Sequence, residues 1–189
     1  MTPRVSINSE QITLDDVWQH YETLRGIIVR EAEEARRHLA DGTPPRNPRL
    51  LGMDLDEMNA HFDGALEEVD AQASLFLLAA TEATVRVDFL ERVYERRRDP
   101  VSRIFRDVYK SRCDHNKVMV RLEEDILDIW GEQLPDSMSH VSSLKGALKY
   151  RHWLAHGRYW VPKLGQRYDP SGLVQIVTGF FGEIGVANQ

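Results

Sequence analysis

Two side chains late in the chain have the properties needed to act on a phosphate group: Arg151 and His156, in the segment KYRHWLAHGR that spans 149–158. Arginine carries a permanent positive charge on a planar fork that matches the geometry of phosphate oxygens. Histidine is the side chain that accepts and donates a proton near neutral pH. The pair therefore predicts proton transfer and charge stabilisation at a phosphodiester.

The spacing of the two residues sets a condition on the backbone. On an uninterrupted helix, residues five positions apart point about 140° away from each other. Arg151 and His156 reach one ligand only if the helix ends or bends near them. Gly157 follows the histidine directly and is a natural helix terminator. We therefore expect the helix to end at Gly157, with its last turn adjustable.

Such a pair is a minimal set of groups for cutting RNA without a metal ion. His156 takes the proton from the ribose 2′-hydroxyl or gives a proton to the leaving 5′-oxygen. Arg151 stabilises the added negative charge of the phosphorane-like transition state. The products are a 2′,3′-cyclic phosphate and a 5′-hydroxyl end. DNA lacks the 2′-hydroxyl, so this chemistry selects RNA.

Two further residues are candidates for an auxiliary role at this site. His152 adjoins Arg151, and either assists there or is simply exposed. Glu82 lies in the most apolar stretch of the chain, where an ionised carboxylate needs a cation beside it. We expect Glu82 to orient Arg151 or His156, or to form a plain helical ion pair with Arg86 four residues on.

Residues that flank the motif are the candidates for RNA contacts. Lys149 and Arg158 supply positive charge, and Tyr159 supplies a ring on which a base can stack. Their ordinary interpretation is an exposed charge or a packed aromatic side chain. We expect no metal and no cofactor, because the chain has one cysteine and its other histidines lack metal-ligand spacing. Those histidines are His20, His38, His61, His115 and His140.

The remaining sequence predicts the helices that position these residues. Apolar side chains recur at steps of three and four residues, and no strand pattern of useful length appears. Thr13 is a plausible N-cap, Gly64 marks a kink or break, and Pro100 suits a first helical position. The fold class is therefore all-α, a bundle of about five to six helices. The predicted helices span 14–39, 54–98, 101–111, 117–133, 141–154 and 170–181.

Charge is distributed unevenly along the chain, whose net charge is −6. Residues 96–121 contain nine basic and three acidic side chains, a net +6. Residues 141–170 contain six basic side chains against Asp169 alone, a net +5. The rest of the chain carries −17. Such asymmetry is typical of an acidic protein with a positive face for phosphates, or of helix faces that are basic and solvated.

Length and composition favour one domain, 1–189, in an aqueous compartment. The chain has 189 residues, of which 42% are hydrophobic, a size that suits a single core. No apolar run is long enough to cross a bilayer, and the N-terminal residues lack the apolar stretch of a secretory signal. We expect a cytoplasmic protein with no membrane partner.

The segment 151–157, RHWLAHG, resembles the RxxxxH motif of the HEPN superfamily, in which the arginine is commonly followed by Asn, Asp or His. The apolar stretch Ser74–Phe89 resembles the earlier core helix of those proteins. The position of the motif, at the end of a helix and before a final helix, is also similar. The resemblance covers roughly Asp70 to the C-terminus.

The resemblance implies a HEPN-like helical bundle that forms a homodimer, with two motif segments facing one cleft. Many HEPN proteins are metal-independent ribonucleases, often toxins of toxin–antitoxin or phage-defence systems, and a minimal nucleotidyltransferase is a frequent antitoxin. Others only bind RNA, nucleotide or a partner protein. This chain keeps both Arg151 and His156, which favours the active class. The alternatives are a non-catalytic HEPN module and a helical adaptor whose motif is accidental.

Overall fold

The computed structural model of the protein describes residues 5–8, 10–114 and 117–186. Within these residues the fold is all-α, as predicted, with six α-helices. They are α1 (Leu14–Ala40), α2 (Leu55–Tyr94), α3 (Pro100–Arg112), α4 (Asp128–Gln133), α5 (Met138–Ala155) and α6 (Pro170–Ile184). No helix in this part of the chain combines the length and apolar character needed to span a bilayer.

Side-chain caps explain where the long helices begin. The Thr13 hydroxyl accepts a hydrogen bond from the backbone N–H of Asp16, and the Asp16 carboxylate accepts one from the backbone N–H of Thr13. Asp54 and Glu57 form the same reciprocal capping box at the start of α2. Each box satisfies two backbone donors that the first turn of a helix leaves unpaired. Thr13 is therefore confirmed as the N-cap of α1.

Helix α2 is the central element of the fold. It runs unbroken for 40 residues, about 60 Å at 1.5 Å per residue, so the expected break at Gly64 is wrong. It ends at Tyr94 rather than near residue 98. The buried rings of Phe89 on α2 and Phe105 on α3 lie 4.8 Å apart. The core around them also contains Leu77, Leu78, Leu144, Val177 and Phe180.

The segment before α4 departs from the predicted helix over 117–133. Cys113–Asp114 and Lys117–Val118 form β1 and β2, a two-residue antiparallel pair in which Cys113 lies opposite Val118. Helical backbone starts only at Leu122, and residues 123–127 form a π-helical turn. The extended backbone suits the β-branched side chains of Val118 and Val120. The prediction missed the strands because two-residue strands carry no detectable alternation.

Asp125 holds this segment against the bundle. Its carboxylate accepts from the Arg112 guanidinium at 2.8 Å and 3.1 Å, and from the backbone N–H of Arg121 at 2.9 Å. Burial acts to raise the pKa of Asp125, but these donors outweigh it and the pKa is lowered. The side chain thus ties the end of α3 to the turn that enters the π-helical segment.

Candidate functional site

Helix α5 ends at the residues of the motif. His156 is the C-cap, and its backbone N–H still donates to the carbonyl of His152 at 3.1 Å. Gly157 takes φ +77°, and its N–H donates to Leu154 O. Positive φ is a conformation that glycine adopts at little energetic cost. The prediction that the helix ends at Gly157 is confirmed, and His156 stands at the end of α5 rather than within it.

Arg151 is held from the neighbouring helix α2. Its Nη2 lies 3.3 Å from Oε2 of Glu82, whose other oxygen accepts from Nε of Arg86 at 3.0 Å. Arg86 also donates to the carbonyl of Val120 at 3.2 Å. Glu82 therefore does both things that the sequence suggested: it forms the helical pair with Arg86 and it contacts Arg151. The Nε of Arg151 is buried and has no hydrogen-bond partner among the described residues.

A cavity of about 540 Å³ opens to solvent beside this pair. Arg151, His152 and Lys149 face it from α5, and Glu82 faces it from α2. Its other lining residues are Leu122, Glu123, Glu124, Leu148, Trp160, Pro162, Lys163 and Leu164. The wall thus combines three carboxylates, three permanent cations and one imidazole. Of the three carboxylates, Glu82 already has two guanidinium partners.

The two histidines of the motif lie against each other. The ring centroids of His152 and His156 are 4.2 Å apart, one helical turn from each other. The ring centroids of His152 and Trp160 are 5.8 Å apart. The backbone carbonyl of Trp160 accepts a hydrogen bond from the indole N–H of Trp153 at 2.6 Å. His156 is exposed, but it is not among the residues that line the cavity. The structure brings Arg151 and His152 to one cavity and joins His156 to them through His152.

The expected RNA-contact residues differ in their surroundings. Lys149 lines the cavity. Arg158 is paired with Glu68 at 2.6 Å, and this hydrogen bond lowers the pKa of the Glu68 carboxyl. Tyr159 is 83% exposed, with its ring edge against Trp160. Lys149 and Tyr159 are therefore unpaired and open to a ligand, whereas Arg158, like Arg151, is already paired with a carboxylate.

Four of the nine cations of residues 96–121 form ion pairs with described carboxylates, so the solvated-helix interpretation suits part of this segment. The pairs are Arg97 with Asp88, Glu91 and Glu95; Lys110 with Asp107; Arg112 with Asp125; and Arg121 with Glu124. Arg96, Arg98 and Arg103 are exposed and form no ion pair with a described residue, so part of the positive charge of this segment remains.

The second basic segment, 141–170, retains unpaired charge. Three of its six cations are paired: Lys145 with Asp128 at 2.5 Å, Arg151 with Glu82 and Arg158 with Glu68. Lys149, Lys163 and Arg167 form no ion pair with any described residue. Lys149 and Lys163 both line the cavity beside Arg151. The unpaired positive charge of the segment is therefore placed at this cavity and at Arg167.

Sequence reasoning missed the residues that the loop after α5 brings to the cavity. Trp160 and Lys163 lie in that loop, and Glu123 and Glu124 lie in the π-helical turn. Lys163 had a signal only as one of the six basic side chains of residues 141–170, and Trp160 only as an aromatic residue close to the motif. Glu123 and Glu124 had none. As for metals, His115 lies outside the described residues. Within the described ones, no three His, Cys, Asp or Glu side chains are placed to hold a metal ion.

Comparison of the chain with protein-family models, with curated proteins and with solved structures yields no match. The HEPN resemblance thus depends on the motif itself and on the order of the helices around it.

Proposed function

We propose that the protein is a HEPN-type endoribonuclease that cleaves RNA without a metal ion, with Arg151 and His156 as its catalytic residues. The observation that carries this function is the solvent-open cavity in which Arg151 is fixed by Glu82. An arginine held by a carboxylate keeps its charge and its direction, so it can meet a phosphate without first being ordered. His152, which adjoins both catalytic residues, assists.

The reaction is a transfer within the RNA strand and consumes no water. The ribose 2′-oxygen forms a bond to the adjacent phosphorus as His156 accepts the hydroxyl proton. The bond from phosphorus to the 5′-oxygen then breaks, and that oxygen takes up the proton that His156 accepted, leaving a cyclic phosphate and a neutral imidazole. Arg151 stabilises the extra negative charge on the phosphorane as it develops. His152, in ring contact with His156, gives the proton a second imidazole through which to pass.

The charges around the cavity agree with an anionic substrate. Lys149 and Lys163 have no ion pair with a described residue and lie on the cavity wall, where they can bind phosphates flanking the scissile one. Glu124 is offset by Arg121 at 3.6 Å. Exposed Tyr159 offers a stacking surface for a base next to the motif.

The biological setting follows from the same family resemblance. We propose a cytoplasmic toxin or phage-defence effector that acts as a homodimer and is restrained by an antitoxin such as a minimal nucleotidyltransferase. Sedimentation of the purified protein tests the dimer. Growth arrest on expression, relieved by Arg151→Ala or by His156→Ala, tests the toxin.

One observation favours a second candidate function, a non-catalytic HEPN module that binds RNA, nucleotide or a partner protein. His156 does not line the cavity that holds Arg151, so a ligand bound there contacts Arg151 and His152 before it meets His156. A protein of this kind binds RNA and leaves it intact.

A nuclease assay in EDTA separates the two functions. The purified protein is mixed with a pool of RNA oligonucleotides of random sequence, and cleavage is followed on a denaturing gel. We expect Arg151→Ala and His156→Ala to slow cleavage by about 10²- to 10⁴-fold. Matched controls are Arg30→Gln and His61→Ala, both exposed residues far along the chain from the motif, and these should cleave at the wild-type rate. RNA binding without cleavage in EDTA would support the second function.

A further inference from the structure

A second polar cavity, of about 380 Å³, lies where the start of α5, the end of the following loop and the start of α6 meet. Its polar side chains come from three different elements. The lining residues are His140, Ser143, Gln166, Arg167, Tyr168, Gly172, Gln175 and Ile176. None of them belongs to the cavity that contains Arg151.

Two glycines make room for the rings that form its walls. A Cβ at Gly146 would lie 2.5 Å from the hydroxyl of Tyr168, and a Cβ at Gly179 would lie 2.8 Å from Cδ2 of His140. Both contacts are closer than real Cβ atoms tolerate. Glycine inside a helix is less favourable than alanine because it loses more backbone entropy on folding. Helices α5 and α6 are therefore locally less stable at Gly146 and Gly179, where the rings of Tyr168 and His140 pack closely against them.

The polar groups of the cavity are of the kind that bind an anion. Arg167 is a permanent cation with no ion pair to any described residue. Nδ1 of His140 is buried and has no hydrogen-bond partner among the described residues. Ser143 and the two glutamines supply further donors.

Among the described residues that line this cavity there is no carboxylate, in contrast to the cavity at Arg151. Asp169 follows the lining residue Tyr168 in the sequence. Its carboxylate caps α6 by accepting a hydrogen bond from the backbone N–H of Gly172 at 3.0 Å. The Asp169 carboxylate therefore lies beside the lining residue Gly172 and is engaged by its N–H, and the unpaired Arg167 is the charge that a phosphate meets on the cavity wall.

We propose that this second cavity binds a phosphate group, with Arg167 as the charged contact, Ser143 as a hydrogen-bond donor and the ring of His140 as part of the wall. The identity of the phosphate depends on the proposed function: it is a backbone phosphate of the same RNA strand that reaches Arg151. The cavity is then a subsite that holds the strand in register for cleavage.

The two cavities lie along the same helix, α5, in positions that a single RNA strand can occupy together. His140 and Arg151 are eleven residues apart, which is about 16 Å along the helix and about 20° around it. They therefore lie on nearly the same face of α5. The loop after α5 borders both cavities, with Lys163 at the first and Arg167 at the second. An RNA strand that follows this loop therefore passes two unpaired cations, Lys163 and Arg167, on its way from one cavity to the other.

The test measures affinity as a function of salt for a fluorescent single-stranded RNA whose 2′-hydroxyls are methylated, so that it cannot be cleaved, and for its DNA counterpart. We expect Arg167→Gln to weaken binding of both about tenfold, because each loses a charge-assisted contact to phosphate. The slope of log affinity against log salt should fall by about 0.7, the value for one phosphate contact on a single strand. Arg30→Gln removes the same charge from the exposed surface of α1 and should leave both quantities near wild type. Equal effects of the two variants would overturn the proposal.

A second arm distinguishes a strand from a free anion. Inorganic phosphate is added to the protein while the ring signals of His140 are followed by NMR. We expect these signals to shift in the wild type and not in Arg167→Gln. A phosphate-dependent shift together with unchanged oligonucleotide affinity in Arg167→Gln would overturn the assignment to an RNA strand. A protein that loses DNA and RNA affinity in Arg167→Gln but never cleaves RNA would retain this subsite and contradict only the proposed function.

Discussion

Arg151 on α5 and Glu82 on α2 lie 3.3 Å apart across the two helices that carry the site. Glu82 at the same time binds Arg86, which reaches on to the carbonyl of Val120. One carboxylate thus connects the motif arginine to the central helix and, through Arg86, to the segment that leads into the π-helical turn. The direction of Arg151 depends on this contact, and so should the activity we propose.

Removing the charge of Glu82 should lower activity without unfolding the protein. Glu82→Gln keeps the shape of the side chain but removes the negative charge that pairs with Arg151. Misplacing a catalytic group by about 1 Å slows reactions by up to about 100-fold. We expect single-turnover RNA cleavage to slow by about 10- to 100-fold. Glu91→Gln, which loosens Arg97 instead, is the matched control and should cleave normally. Equal rates for wild type and Glu82→Gln would show that the pair does not position Arg151.

The two lysines of the cavity should contribute through charge alone. Lys149→Gln and Lys163→Gln each remove one unpaired cation from the cavity wall. Each variant should reduce the salt slope of RNA binding by about 0.7 and leave the cleavage rate at saturating protein unchanged. Fluorescence titrations at several salt concentrations measure the slope. If the salt dependence of RNA affinity were unchanged in both variants, the RNA backbone would not contact the cavity at Arg151, and this prediction would be contradicted.

Gly157 should be necessary for the shape of the motif. Its φ of +77° is a left-handed conformation that costs about 1–2 kcal/mol for a residue with a Cβ. Gly157→Ala should lower the free energy of unfolding in urea by about that amount and slow RNA cleavage, because His156 immediately precedes the turn. Gly64→Ala is the control, since Gly64 lies inside α2 and a Cβ there meets no atom within 4 Å. That variant should be as stable as wild type or more so.

Asp125 should make the protein sensitive to acid. Its folded pKa lies below the ordinary value, so its stabilising effect is present above about pH 4 and is lost as the pH falls through the folded pKa. Asp125→Asn should lower the free energy of unfolding at pH 7 by about 1.5–3 kcal/mol, because hydrogen bonds from charged Arg112 are weakened. The variant should also lose less stability than wild type on acidification. Urea titrations between pH 3 and 7 measure both effects, and parallel curves would contradict this role.

The periodic parts of the fold could be predicted from the sequence. The start of α1 at Thr13 and the end of α5 at Gly157 follow from capping chemistry, which is local in the chain. The prediction failed where structure depends on distant contacts. Residues 117–121 were assigned to a helix, but Asp125 and Arg112 hold them against the end of α3.

The candidate site could be predicted only in part, for a similar reason. Arg151, His152 and Lys149 share a short segment, and Glu82 was inferred from the need of a carboxylate in an apolar helix for a cation. Residues 162–164 of the loop after α5, which line the cavity, escaped detection because no periodic pattern gives the path of a loop. Which cations are unpaired was also invisible, since neutralising partners such as Glu68 lie far away in sequence.

The most direct test of the central claim compares RNA with a strand that lacks the nucleophile. A pool of RNA oligonucleotides and the same pool with 2′-deoxyribose throughout are incubated with the protein in EDTA, and the ends of any products are identified by mass spectrometry. We predict cleavage of the RNA pool only, with 2′,3′-cyclic phosphate and 5′-hydroxyl ends that disappear in His156→Ala. Cleavage of the deoxyribose pool, 5′-phosphate ends, or folded wild-type protein that leaves all RNA intact would contradict the account.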